Sequence, residues 1–147
     1  MAEVVQSDVF QSTFEQCGIG LAHVSPAGDF IRVNKALSSF LGYSQEELVK
    51  LDFQDITHPD FLDNDLQHVS ELIDGFYDSY QMEKLYVHKD GQTIWGKLTV
   101  TLVRDEQGEP QYFVSVVEDI DEKKRFEARY QQSQETFRLI VSALSDR

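Results

Sequence analysis

The residues able to do chemistry are few, and their spacing argues against most of the chemistry they could do. The single cysteine, Cys17, has no basic neighbour in sequence to favour its thiolate. It recurs with Val5, Val9, Phe10 and Phe14 at helical spacing, so it reads as a small core residue. One thiol makes no internal disulfide and no cysteine-rich zinc site. No serine stands in a Gly-x-Ser-x-Gly elbow, and Gly18-Ile19-Gly20 reads as a helix-to-strand turn rather than part of a dinucleotide loop. Asp60, Asp63 and Asp65 invite a calcium-loop reading. Counting from Asp60 puts Leu62 and Leu66 at ligand positions, and counting from Asp63 puts His68 where the loop needs glycine. The three acids therefore read as the solvated face and first turns of a helix, where the macrodipole favours them. No metal site is legible, and no set of nucleophile, base and oxyanion donors, so the chain does not read as an enzyme.

The elements that would position these residues follow from periodicity and punctuation. A short amphipathic helix ends before Gly18. Residues 19–24 and 30–33 read as strands joined by the turn Ser25-Pro26-Ala27-Gly28-Asp29. Asn34 caps a helix whose apolar face is Ala36, Leu37, Phe40 and Leu41, and Gly42 ends it. Ser44 and Glu47 form a capping box for a second short helix. Residues 53–56 are expected to add a helical turn, and Pro59 opens a longer helix carrying Phe61, Leu62, Leu66, Val69, Leu72 and Ile73, closed by Gly75. Strands over 80–87, 94–103 and 112–117 follow, linked by Lys89-Asp90-Gly91-Gln92 and a polar loop at 104–110. Leu98 and Val100 share one strand face, and Phe113, Ser115 and Val117 another. A hairpin, a block of short helices and a three-strand meander define an α+β domain with one antiparallel sheet.

From Glu122 onward the pattern is helical and rich in charge. Phe126, Tyr130, Ser133, Phe137, Ile140 and Leu144 alternate in steps of four and three, a heptad seam. Three parts result: an N-terminal helix over 1–17, a core over 18–120 and a C-terminal helix over 121–147. Phe137 to Leu144 repeats the pattern of Phe10 to Cys17, as though another domain of the same kind begins there.

Composition sets outer bounds. The chain has 147 residues, 41% hydrophobic and 27% charged, enough for a core and too polar for a membrane protein. Its net charge is −13. Residues 1–83 hold three cations against fifteen acids, a net of −12, while residues 84–147 are nearly balanced. So acidic a surface is a poor ligand for nucleic acid or anionic lipid. No signal peptide and no apolar run of spanning length is visible, and one cysteine fits a reducing, cytoplasmic setting.

The order of short motifs resembles a PAS domain with its C-terminal PAC motif. The stretches are Phe14 to Gly20, Gly28 to Asn34, Leu41 to Leu48, His58-Pro59-Asp60, Glu83-Lys84, His88 to Gly91, Ile94-Trp95 and Glu118 to Lys124, together covering about residues 10–125. The resemblance implies a five-stranded antiparallel sheet in order 2-1-5-4-3, short helices on one face enclosing a pocket, and a C-terminal exit helix. It implies a sensory role within a multidomain bacterial signalling protein, with a histidine kinase, diguanylate cyclase or phosphodiesterase in cis. By resemblance and strand alternation the pocket is expected from Leu37, Leu41, Ile56, Leu66, Val69, Ile73, Met82, Leu98, Val100, Phe113 and Ser115, with Trp95 and Ser115 as its polar handles. Asp119, Ile120 and Asp121 would relay the signal. Relatives usually have threonine where Asp121 stands, and Asp121 can still cap the next helix. Phe126, Tyr130, Phe137, Ile140 and Leu144 would form the seam of a homodimer paired through its N-terminal and C-terminal helices. Alternatively the domain senses nothing and only dimerises or spaces its neighbours.

No cofactor is evident. Haem-binding relatives place their iron ligand on the helix that carries His68, but Gln67 and Ser70 flank it and a histidine in that setting faces solvent. Flavin-adduct photochemistry needs a cysteine in the central helices, where this chain has none.

Overall fold

Buried Asn34 shows how one side chain fixes the start of the domain. Its Oδ1 accepts from the N–H groups of Leu37 and Leu21, both at 3.0 Å, and its Nδ2 donates to the carbonyls of Ile19 and Phe14 at 2.9 and 3.0 Å. It thus caps one helix and ties it to the strand and helix before it. In the computed structural model, which describes the backbone of residues 2–145 and the side chains of residues 8–145, those elements are α1 (Ala2–Gln16), β1 (Gly20–Val24), β2 (Phe30–Val33) and α2 (Lys35–Leu41). Then come α3 (Gln45–Leu48), α4 (Pro59–Ile73), β3 (Ser79–Val87), β4 (Thr93–Arg104), β5 (Pro110–Asp119) and α5 (Asp121–Ser145).

The five strands form one antiparallel sheet in order β2-β1-β5-β4-β3, as expected. The helices α2 to α4 cover one face, and the core lies between. It centres on Ala22, Val24, Phe30, Leu37, Leu41, Leu72, Leu98, Val100, Phe113 and Val117.

Local signals act where they stand. Gly42 ends α2 at φ 78, and any Cβ there would collide with the His88 ring, so both conformation and space demand glycine. The Ser44–Glu47 capping box is closed in both directions. His58 caps α4, its Nδ1 accepting from Asp60 N–H at 3.1 Å, with Pro59 in the first turn. At the other end Arg104 Nη2 donates to the Ile73 and Leu72 carbonyls, a cation on the negative end of the helix dipole.

Four expectations need correction. Residues 53–56 form a turn, not a helix: Asp52 Oδ1 accepts from the N–H groups of Gln54 and Asp55 and competes with helical bonding. The N-terminal helix is weakly amphipathic, since Val9 and Phe10 are exposed and Phe14 is buried; the side chain of Val5 lies outside the described residues. Cys17 follows the end of α1 half-buried instead of in the core. Asp65 is not solvated with Asp60 and Asp63 but 1% exposed, because it shares the inward face of α4 with Val69 and Leu72 at i+4 and i+7.

The exit helix does not lie on the sheet. Its first turn is docked, and from Phe126 onward α5 is exposed over a length of roughly 1.5 Å per residue.

Candidate functional site

Between the sheet and α4 lies a cavity of about 230 Å3. All five strands contribute to its wall, through Ala22 and Val24, Phe30, Tyr80, Lys84 and Tyr86, Leu98 and Val100, and Phe113, Ser115 and Val117. Leu37 of α2, Phe53 and Ile56 of the turn, and Asp65, Leu66 and Val69 of α4 complete it. Exposed Pro26, Ala27 and Gln54 border it where it meets solvent. Of the side chains expected to line a pocket, Leu37, Ile56, Leu66, Val69, Leu98, Val100, Phe113 and Ser115 are on this wall. Leu41, Ile73 and Met82 are not: Leu41 is fully buried in the core at the end of α2, and Ile73 and Met82 pack half-buried against that core. Trp95 is also off the wall, since Gly96 takes the inward position of β4 and Trp95 points the other way.

The wall carries a polar cluster that the sequence reading did not assign. Lys84 is 1% exposed and its Nζ donates to Asp65 Oδ2 at 2.5 Å and to Thr57 Oγ1 at 2.8 Å. Asp65 Oδ1 accepts from the Tyr80 hydroxyl at 2.7 Å. The ammonium also stands 4.7 Å from the centroid of the Tyr86 ring. Tyr86 itself is buried, and its hydroxyl has no hydrogen-bond partner among the described residues. Burial holds the Lys84 ammonium below its usual pKa, with Asp65 pulling it back only in part. Burial, then the Asp65 charge, pushes the Tyr80 and Tyr86 phenols well above theirs. Both phenols are therefore neutral. The period-2 pattern Tyr80, Met82, Lys84, Tyr86 was the available signal that Lys84 faces inward.

His68 does not fit a haem. Its Nδ1 is engaged with the Tyr77 hydroxyl at 3.1 Å, its ring stacks on Tyr80 at 4.9 Å, and it is not on the cavity wall. A cavity of 230 Å3 is also too small, since one of about 150 Å3 already fits benzene.

The second feature is the joint between β5 and α5. Ile120 is buried and its N–H donates to the Trp95 carbonyl at 3.2 Å, while Trp95 N–H donates to Asp121 Oδ1 at 3.0 Å. Asp119 Oδ1 accepts from Asp121 N–H at 3.0 Å, so Asp119 turns the chain. Asp121 is thus a staple between α5 and β4 rather than the helix cap expected of it. Partial burial raises the Asp121 pKa, but hydrogen bonds from Arg125 and Trp95 N–H outweigh it and hold the carboxyl below its usual range. Lys124 Nζ pairs with Glu83 of β3 at 2.6 Å and lies 5.1 Å from the Trp95 ring centroid. Beyond this joint Phe126, Tyr130, Phe137, Ile140 and Leu144 are 54–67% exposed. No helix among the described residues is long and apolar enough to cross a membrane.

Comparison with known proteins agrees with this geometry. A family model of the PAS domain matches residues 16–122. The chain is 46% identical over 134 residues to the probable diguanylate cyclase DgcE of Escherichia coli (strain K12), covering 91% of this chain and 12% of that protein. It is 25% identical over 126 residues to the sensor histidine kinase TmoS of Ectopseudomonas mendocina, covering 86% of this chain and 13% of that protein. The chain therefore spans about an eighth of the length of these curated relatives. Among solved structures, a PAS domain from Colwellia psychrerythraea superposes with a TM-score of 0.72 at 17% identity, over 81% of this chain and 98% of that one. By sheet order, motif order and sequence match, this chain belongs to the PAS domain family.

Proposed function

We propose that this chain is a non-catalytic sensory module that receives a cue in the 230 Å3 cavity and passes it through α5 to an output domain in cis. The observation that carries this reading is continuity. Phe113, Ser115 and Val117 of β5 are on the cavity wall, and the same strand runs through Asp119 and Ile120 directly into α5. A cue that moves β5 relative to β4 acts on the Trp95 bonds that anchor the helix. Such a switch needs only a few kcal/mol of difference between two packings. The relatives that match over this region, one a probable diguanylate cyclase and one a sensor histidine kinase, support an output of either type.

In this reading two copies pair through the apolar seam of α5, because a helix with Phe126, Tyr130, Phe137, Ile140 and Leu144 uncovered gains most by burying them against its own kind. The repeat of the Phe10–Cys17 pattern at Phe137–Leu144 supports a further domain of the same kind along the chain.

The test is to place spin labels on β4 and at the middle of α5 and measure their separation with Asp121 intact and as Asp121→Ala. A broadened distance distribution in the variant is expected. An unchanged distribution would remove the joint from the relay. The same pair of labels, read with and without a molecule that occupies the cavity, tests the link between pocket and helix.

A further inference from the structure

The cavity wall also constrains what can enter it, and the inference that follows rests on the cavity being the receiving site. We infer that the occupant is a small neutral molecule, largely apolar, with one hydroxyl or carbonyl oxygen that hydrogen-bonds the Tyr86 hydroxyl.

Size comes first. Scaled from a cavity of about 150 Å3 that holds benzene, 230 Å3 admits roughly nine non-hydrogen atoms. Charge comes second. The acid and the base on the wall, Asp65 and Lys84, already satisfy each other through a direct contact. Bringing one more charge into this space leaves it uncompensated among Val24, Leu66, Val69, Leu98 and Phe113, and a buried charge without a partner is strongly disfavoured. Carboxylates, phosphates and ammonium compounds are selected against. Polarity comes third. Tyr86 is 2% exposed, and its hydroxyl is a buried polar group whose hydrogen-bonding capacity is unspent. Buried hydroxyls are ordinarily paired, so the unpaired one of a residue that lines the cavity is the polar group with most to gain from a ligand oxygen. The Tyr86 proton is firmly held, so at neutral pH this group can both donate to a carbonyl and accept from a hydroxyl.

The test uses the 147-residue chain and five probes of similar size: 4-methylphenol, cyclohexanone, toluene, benzoate and benzylammonium. Melting temperature and calorimetric titration are the readouts. At a hundredfold excess over its Kd, 4-methylphenol is expected to raise the melting temperature by roughly 5–10 °C, with cyclohexanone similar. Benzoate and benzylammonium are expected to produce no shift. Tyr86→Phe removes one oxygen that makes no internal bond, so it should fold normally. It should weaken 4-methylphenol about tenfold and leave toluene unchanged. Ala22→Leu, which fills the cavity, should abolish binding of every probe. The ligand class is overturned if a charged probe binds more tightly than 4-methylphenol, or if Tyr86→Phe leaves the preference for 4-methylphenol over toluene intact. In those cases the cavity still receives a molecule. If no probe shifts the melting temperature, the ligand class and the receiving role of the cavity both fail.

Discussion

Glu83 and Lys84 are consecutive in β3, yet they hold opposite kinds of ion pair. Lys84 turns inward to Asp65, with side chains 2% and 1% exposed. Glu83 turns outward to Lys124 of α5, with side chains 42% and 28% exposed. The inner pair is dry: removing either partner strands a charge, whereas removing both strands only the Tyr80 hydroxyl that Asp65 accepts from. The outer pair is wet and screened, so it breaks and re-forms at little cost. One strand therefore fixes a helix on its inner face and lightly holds another on its outer face. The difference suits the relay proposed above, in which α4 keeps the cavity shaped and α5 moves.

That contrast can be broken in graded steps. The largest effect is expected from Lys84→Met, which leaves Asp65 buried and unpaired and should cost about 3–5 kcal/mol in urea unfolding. Adding Asp65→Leu should recover part of the loss, since it removes the stranded charge but leaves the buried Tyr80 hydroxyl without its acceptor; no recovery at all would mean that the stranded charge is not the source of the loss. Next comes Asn34→Ala, which removes a cap and leaves the Leu21 N–H and two carbonyls without their partner. About 2–4 kcal/mol is expected, with faster amide exchange in α1 as its signature. Tyr86→Phe should go the other way in the ligand-free chain and raise stability by about 1 kcal/mol, because it deletes an unsatisfied buried hydroxyl. Glu83→Gln should change stability by less than about 1 kcal/mol and yet speed amide exchange in the first turn of α5. A response of the size seen for Lys84→Met would erase the distinction drawn above.

The gentlest probe is pH. Burial, then Arg32, lowers the His23 pKa from 6.5, so the unfolded chain binds that proton more readily. Stability should fall as pH drops from about 6.5 toward the lowered native value, and His23→Gln should flatten that slope. Glu83 and Asp121 have lowered values, so their contribution is present above the unfolded range of carboxylates near pH 4 and is lost as pH falls through their native values. The joint should therefore loosen in acid.

Much of the fold was legible because its signals are local. Asn34, Gly42, the Ser44–Glu47 box and Pro59 each set a boundary by what their own atoms can bond. The turn at 53–56 was misread because Asp52 offers its backbone neighbours an alternative to helix, and periodicity does not register that competition. The cavity's apolar wall could largely be read from strand alternation, which also turns Lys84 inward, but alternation does not say what Lys84 meets there. Asp65 and Lys84 look like solvent residues when each is taken alone. Only the packing of α4 against β3, the next element in sequence, shows that they meet.

Sheet order has one more consequence. The hairpin of β1 with β2 and the pair of β3 with β4 share no ladder; β5, the last strand in sequence, lies between them and bonds to both. Residues through Asp119 must therefore be in place before the two halves of the sheet can be joined, which favours slow, all-or-none folding over stepwise assembly. The strand that completes the sheet is also the one that leads into α5, so a nascent or damaged copy lacking a seated β5 would leave α5 without a fixed direction.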